Sequence, residues 1–352
     1  EAHTRILSGT ERPTPLLDTE TYAPYPVHPL VEIDLSTQIP RRGDQRQMEN
    51  WQRYGTYAAG LALTDAGLAG ETDFLERMNL IVAAGGGERD ATVDGDIVEG
   101  WRQAEDPGAF VNDRLMSDLR PTLFLAQLSN LLAGNISIVH HVTGSSRTFM
   151  GEELGGAMAI ETAWRQIRAG QNDLFLVGGA YNAARYDMMV FLAMSGGLWT
   201  GDDVPDVWHR TGQDGGMVPA SMGAFLVIES REHAEARGAK IYARIDDVVT
   251  DRGARDRSER YAARVARQVE RLNAAAGSAA LGLLSGASGA PEATGLEREM
   301  IDAMSVGRPT FVRGLGSLMG HGMEAQMPAG VALAAAALAD GAFYPPFADA
   351  DV

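Results

Sequence analysis

Glu153 is the first residue in this chain whose placement suggests chemistry, because it stands at the start of a helix-like run. From there to about Ala169, the residues Leu154, Ala157, Met158, Ile160, Ala163, Trp164 and Ile167 cover most of a helical circumference, the pattern of a helix buried on several sides. Gly170 closes the run as a C′ glycine does. The N-terminus of such a helix carries partial positive charge and unpaired N–H groups, which suits a nucleophile or an oxyanion. Two roles for Glu153 follow. It is an ordinary partner of the helix dipole, or it fills the anion pocket and blocks it by accepting the N–H bonds itself. His140 and His141 suggest a metal pair, but adjacent strand residues face opposite sides, and no third ligand accompanies them. Ser145 and Ser146, close to His141, suggest a nucleophile. Yet Gly144-Ser145-Ser146-Arg147 is not Gly-x-Ser-x-Gly, and no oriented His–Asp pair is identifiable. His321, alone in a glycine-rich turn, reads first as structural. Gly85-Gly86-Gly87 lacks phosphate-loop spacing and reads as a turn.

The elements that would position these residues alternate. Ile136-Ser137-Ile138-Val139 predicts a buried strand, followed by a polar, flexible stretch to Arg147. After the helix, Leu174 to Val177 predicts a second buried strand closing in Gly178-Gly179. Upstream, residues 1–47 are irregular and proline-rich. A helix is expected over 48–67, a strand over 78–84 and a helix over 115–132. Downstream the pattern predicts a helix at 186–195, a polar loop at 197–216 and a strand at 223–229. Then follow a strand at 241–249, a helix at 258–275, a strand at 280–284, a helix near 295–304, a strand at 309–314 and a helix at 324–339. Alternating strands and helices imply an α/β protein with a mainly parallel sheet. The order divides into two similar halves, 1–235 and 236–352, with region 136–179 in the first.

The 352 residues suffice for one large core or two halves. A formal net charge of −17 argues against nucleic acid or an anionic membrane as partner. With no cysteine there is no disulfide, thiolate metal site or cysteine thioester. No apolar run approaches a membrane span and no signal peptide is evident, so a cytoplasmic protein is expected.

The stretch 136–179 resembles the nucleophile region of the β-ketoacyl-acyl-carrier-protein synthase II family, which has the thiolase fold. In that family a strand leads into Thr-Ala-Cys, and the cysteine starts a buried helix ending in Arg-x-Ile-x-x-Gly. A strand closing in Gly-Gly follows. Here the matches are Arg165-Gln166-Ile167-Arg168-Ala169-Gly170 and Leu174 to Gly179. The family's spacing, counted back from Gly178-Gly179, puts Glu153 at the cysteine position and makes the residues between Val139 and Glu152 an insertion. Further likeness lies in Arg46-Gln47-Met48-Glu49 with Tyr54, in Gly223 to Glu229, and in Arg237 to Ala243. The family's first histidine, in Ala-His-Gly-Thr-x-Thr, becomes Ser285. The lysine of Lys-Ser-x-x-Gly-His becomes Gly316, and the second histidine remains as His321. Asp214 of the Asp-Gly-Phe-Val motif is kept, but the glutamate beyond it becomes Ala220.

The resemblance implies two βα halves in a layered α/β/α/β/α core. Glu153, Ser285, Gly316 and His321 would gather at one site, with Ser145, Ser146, Gly178 and Gly179 as substrate-binding candidates and no cofactor. It implies acyl carrier protein as a partner and a non-condensing role in fatty acid or related acyl-chain assembly, like that of chain-length factors. A homodimer, or a heterodimer with a cysteine-bearing ketosynthase, would form along Leu174–Val177 as an edge strand. The rival implications are an altered enzyme, a malonyl decarboxylase or thioester hydrolase, and a plain acyl- or carrier-binding module. The insertion Thr143 to Gly151 also resembles that of divergent synthase-like proteins in bacterial very-long-chain acyl clusters. The family's first strand would precede Glu1, and its Gly-Phe-Gly-Gly motif would follow Val352.

Overall fold

The strand β1 (Asn79–Ala84) is apolar because both of its faces are covered. In the computed structural model, which describes residues 6, 16–119, 123, 127–201, 203–212, 215–254 and 258–351, Leu80, Val82 and Ala84 enter one core and Ile81 another. This is the period of two that a pleated strand imposes. β2 (Ser146–Phe149) and β3 (Leu174–Tyr181) flank β1 in parallel, and β4 (Met222–Glu229) joins β3 antiparallel. The sheet order is therefore β2-β1-β3-β4.

On one face lie α1 (Asn50–Asp65) and α2 (Leu131–His140), which bury Trp51, Leu63, Leu132 and Ile136 against the sheet. A capping box between Glu49 and Gln52 starts α1. On the other face α3 (Glu152–Arg168) packs Ala159, Ile160, Ala163 and Trp164 onto Ile81, Phe175 and Val177. After α3 and β3 come α4 (Tyr186–Met194), α5 (Glu259–Ala276) and α6 (Pro291–Ser305). α7 (Gln326–Asp340) lies beside α3 and reaches a second sheet of parallel strands β5 (Leu281–Ser285) and β6 (Thr310–Gly314). Leu284 faces α7 through Leu333 and Ala337, while its neighbour Leu283 faces Ile301 of α6. The layers are thus helix, sheet, helix, sheet, helix, the α/β class expected from the sequence.

Four expectations are corrected. Ile136–Val139 is not a strand but the last part of α2, which His141 ends in the left-handed conformation. Its four-residue alternation lies inside a longer apolar run, and the face that packs is Leu132, Ile136 and His140, at helical spacing. The strand that enters α3 is instead Ser146–Phe149, inside the presumed insertion. It is exposed at Ser146 and Arg147, so it carries no hydrophobic signal. Leu174–Val177 is not an edge, because β1 and β4 pair with it on either side. It is apolar because it is interior, and among the described residues β2 and β4 are the outer strands. Residues 241–249 form no strand. They run beside α3, where Trp164 Nε1 donates to the Ile245 carbonyl at 3.0 Å and Val248 fills the core. The remaining predicted elements occur within a few residues of the expected bounds, except the helix over 115–132. There a helix ends at Ser117 and α2 begins at Leu131, with 120–122 and 124–126 outside the described residues.

Candidate functional site

The turn from β2 into α3 is tight. Gly151 has φ 134° and Glu152 φ 54°, so the chain reverses through left-handed conformations before the helix begins. This aims Glu153 at the start of α3 towards the loop that follows β6. There His321 is fixed by its backbone, its N–H donating to the Val218 carbonyl at 2.9 Å and its carbonyl accepting from Ala220 N–H at 2.8 Å. His321 Nε2 donates to Glu153 Oε1 at 2.5 Å. The histidine side chain is 3% exposed and the glutamate side chain 49%, so the pair is buried at one end and open at the other. His321 Nδ1 is buried with no hydrogen-bond partner.

A third carboxyl closes in from behind. Glu324 is buried, and burial pushes its pKa up to about 7, with Glu152 and Glu153 adding to the rise. The backbone N–H groups of Glu324 itself and of Glu152 oppose that rise. The main chain at Glu324 presses so close that a Cβ on Gly179 would lie 2.8 Å from its carbonyl oxygen, and one on Gly156 2.5 Å. The end of α3 therefore gathers Glu152, Glu153 and Glu324, where the helix dipole favours negative charge.

Ser285 ends β5 and is buried. Its hydroxyl donates to Glu297 Oε1 of α6 at 2.5 Å and accepts from Ala287 N–H at 3.1 Å. Burial raises the Glu297 pKa, against hydrogen bonds from Ser285, Gly286 and Ala287 and the charge of nearby His321. Ser285 is thus held by its own carboxyl on the His321 side of the second sheet. Gly316 carries no side chain, and none would fit, since a Cβ there would stand 2.4 Å from the Ala287 carbonyl oxygen and 2.9 Å from Val207. Its carbonyl accepts from the buried Arg210 Nη2 at 3.0 Å.

The other sequence candidates lie elsewhere. Ser145 donates to Asn79 Oδ1 at 2.7 Å at the start of β1, the end of the sheet opposite Glu153. Ser146 begins β2 at that same end. Gly178 and Gly179 are interior residues of β3 whose Cβ space is taken by Phe225 and Ala224 and by Ala83 and Glu324. His140 Nε2 donates to the Thr56 carbonyl at 2.8 Å, and His141 ends α2 through its backbone N–H, which donates to the Ser137 carbonyl. The carbonyls of Gly86 and Gly87 accept from Arg185, which makes that loop a clamp of acceptors and not a phosphate cradle. Asp214 lies outside the described residues. Among the described residues no group of three or more potential ligands could hold a metal ion. Glu297, Glu324 and Arg210 were not found from the sequence. A lone carboxylate such as Glu324, between a glycine-rich turn and an alanine-rich helix, was the available signal.

Comparison with known proteins places this geometry in context. The model of the beta-ketoacyl synthase N-terminal domain matches residues 34–234. The 3-oxoacyl-[acyl-carrier-protein] synthase 2 of Rhizobium meliloti (strain 1021) is 30% identical over 205 residues, 57% of this chain and 46% of that protein. The enzyme of the same name from Vibrio harveyi is 28% identical over 212 residues, 59% of this chain and 48% of that one. The chain therefore spans about half the length of the curated relatives it matches. Among solved structures, the ishigamide ketosynthase/chain length factor superposes with a TM-score of 0.71 at 22% identity, covering 98% of this chain and 83% of that one. The type II polyketide synthase complex AntDE:AntF, an acyl-carrier protein with its ketosynthase bound to the hexaketide, superposes at 0.69 and 19% identity, covering 97% and 87%. At these identities the structural likeness is one of fold.

Proposed function

The chain belongs to the β-ketoacyl synthase family and has its thiolase-like fold, and from that premise we propose that it serves acyl-chain assembly without condensing, as a chain-length-factor-like partner of a cysteine-bearing synthase. The observation that carries this reading is the bond from His321 Nε2 to Glu153 Oε1 at the start of α3. Where the family's resemblance asks for a thiolate, a carboxylate stands already paired. A carboxylate is a poor acceptor for a thioester acyl group, because the mixed anhydride it forms is more reactive than the thioester. The rest of the constellation supports the same reading. Ser285 gives its hydrogen to Glu297, and Gly316 leaves no room for a lysine. Acyl carrier protein is the proposed second partner.

One observation favours a second reading, in which the chain is an enzyme of altered chemistry. Glu153 is half exposed with His321 buried behind it, and a carboxylate–histidine pair open to solvent can move a proton. Decarboxylation of a malonyl thioester or hydrolysis of an acyl thioester is the corresponding activity. The two are separated by incubation with malonyl- and acyl-loaded carrier protein, followed by intact-mass spectrometry and assay of carbon dioxide and free acid. The partner role predicts no adduct and no turnover by the chain alone, and co-purification of a cysteine-bearing synthase from the native host. Turnover that is lost in Glu153→Gln would replace it with the second reading.

A further inference from the structure

Arginine is concentrated on one side of α5. Arg260, Arg264, Arg267 and Arg271 follow one another at steps of four, three and four residues, which puts them within about 60° of each other around an α-helix. Tyr261, Val265, Val269 and Leu272 occupy another side and are half-buried. Two of the arginines are anchored. Arg271 Nε and Nη2 donate to the two Asp247 carboxylate oxygens at 2.5 Å, and Arg264 Nε meets Asp251 Oδ2 at 3.1 Å. The bonds from Arg271 hold the Asp247 carboxyl below its usual pKa, and the charge of Arg168 at the end of α3 adds to that, so Arg168 continues the row. Arg260 and Arg267 are exposed and, among the described residues, pair with no carboxylate.

In a chain of net charge −17 such a row is the exception. Like charges three and four residues apart on a helix destabilise it, and Arg260 and Arg267 repay nothing within this chain, so the row has its use in what it meets outside. Its spacing limits the choice. Arg260 and Arg267 are seven residues apart, about 10.5 Å along the axis, the separation of two carboxylates on one face of a second helix. Glu259 and Glu270 are exposed on the same helix. They would repel a continuous polyanion or an anionic bilayer, whereas a helix can set basic or neutral residues against them. Asp247 and Asp251 hold two of the guanidinium groups in place, which lowers the entropy lost on docking.

We propose that the arginine face of α5, with Arg168, is a docking surface for an acidic α-helix of a partner protein, whose carboxylates recur at seven-residue spacing and meet Arg260 and Arg267. Each guanidinium would take a carboxylate as a charge-assisted, two-point pair. Arg168 lies at the far end of α3 from Glu153, about 22 Å away by helix rise. The surface is therefore separate from the Glu153–His321 pair and does not depend on the function proposed above.

The test is fluorescence anisotropy of a labelled, alanine-rich helical peptide carrying glutamates at seven-residue intervals, titrated with the whole chain at low salt. Binding should be saturable, and should weaken at least about tenfold in about 0.2 M salt, where exposed charges are screened. The same peptide with glutamine for glutamate should bind at least about tenfold more weakly, as should the double variant Arg260→Glu with Arg267→Glu. Should that variant not fold, Arg260→Gln with Arg267→Gln removes the same two charges. Arg41→Glu with Arg102→Glu changes the net charge equally at exposed positions on other elements, and should leave binding as it was. Absence of saturable binding to the native chain overturns the proposal. So does equal binding of the glutamine peptide, binding undiminished by the changes at 260 and 267, or an equal loss on changing 41 and 102. Sedimentation of the native chain with phosphatidylglycerol vesicles, lost on changing 260 and 267, would replace the partner helix with a membrane surface.

Discussion

Three glutamates meet at the start of α3, and only one of them is buried. For Glu324 the carboxyl pKa rises from 4.5 to about 7 on folding. An acid whose folded pKa is raised contributes stability that is fully present below the unfolded value and is lost as pH climbs to the folded one. The chain should therefore lose on the order of 3 kcal/mol between about pH 4.5 and 7 from this group. Glu324→Gln should remove that dependence, so urea melts at pH 5 and pH 8 should show the variant gaining on the parent only at the higher pH. Gly316 provides a second residue-scale expectation. Gly316→Ala places its Cβ 2.4 Å from a carbonyl oxygen, and should cost about 1–3 kcal/mol as overpacking does, read from denaturant midpoints. That Glu153 and His321 lie together was legible only through the family's motif spacing, which carries one to the start of α3 and the other to the turn before α7. Glu297, which takes the Ser285 hydroxyl, and Arg210, which takes the Gly316 carbonyl, could not be placed, since each partner lies on a different element whose approach the chain order does not state.

At the scale of elements, the interior strands and the long helices were legible because burial on defined faces writes a period into the residues. β1, β3, α3 and α7 show it. The outer strand β2 was missed for the same reason: with Ser146 and Arg147 exposed it has little to write. Its polar residues were then mistaken for an insertion, and the apolar tail of α2 for the missing strand. Glycines separate the helices further. A Cβ on Gly156 of α3 would lie 2.5 Å from the Glu324 carbonyl oxygen and 2.9 Å from Pro328, whereas one on Gly134 of α2 meets only Leu131 at 3.7 Å. Gly156→Ala should therefore destabilise by roughly 1–3 kcal/mol. Gly134→Ala should gain up to about 1 kcal/mol, the ordinary advantage of alanine in a helix. Paired thermal melts check both, and a loss at Gly134 as large as at Gly156 would contradict the close approach of the Glu324 segment.

Across the whole molecule, a net charge of −17 keeps copies apart unless a specific surface brings them together. We propose β2 as such a surface. It is an outer strand, flanked by Ile138 at 62% and Met150 at 64% exposure, and an unpaired edge invites another strand. Sedimentation at micromolar concentration should show a dimer. Because Leu80 N–H bonds the Ser145 carbonyl, the alternation of a parallel ladder turns the Thr148 N–H outward. Thr148→Pro should thus yield a folded monomer, and a wild-type monomer would remove β2 as an interface. The bond from His321 to Glu153 joins residues 168 positions apart. A ribosome adding about 5–20 residues per second needs roughly 10–30 s to supply the second after the first. During that interval α3 already carries Ala159, Ile160 and Ala163, but α7, whose Val331 packs on that core, does not yet exist. The nascent chain must hold a sticky half-core open for that time, so slowing translation between 170 and 320 should increase its demand for chaperones more than slowing it anywhere else.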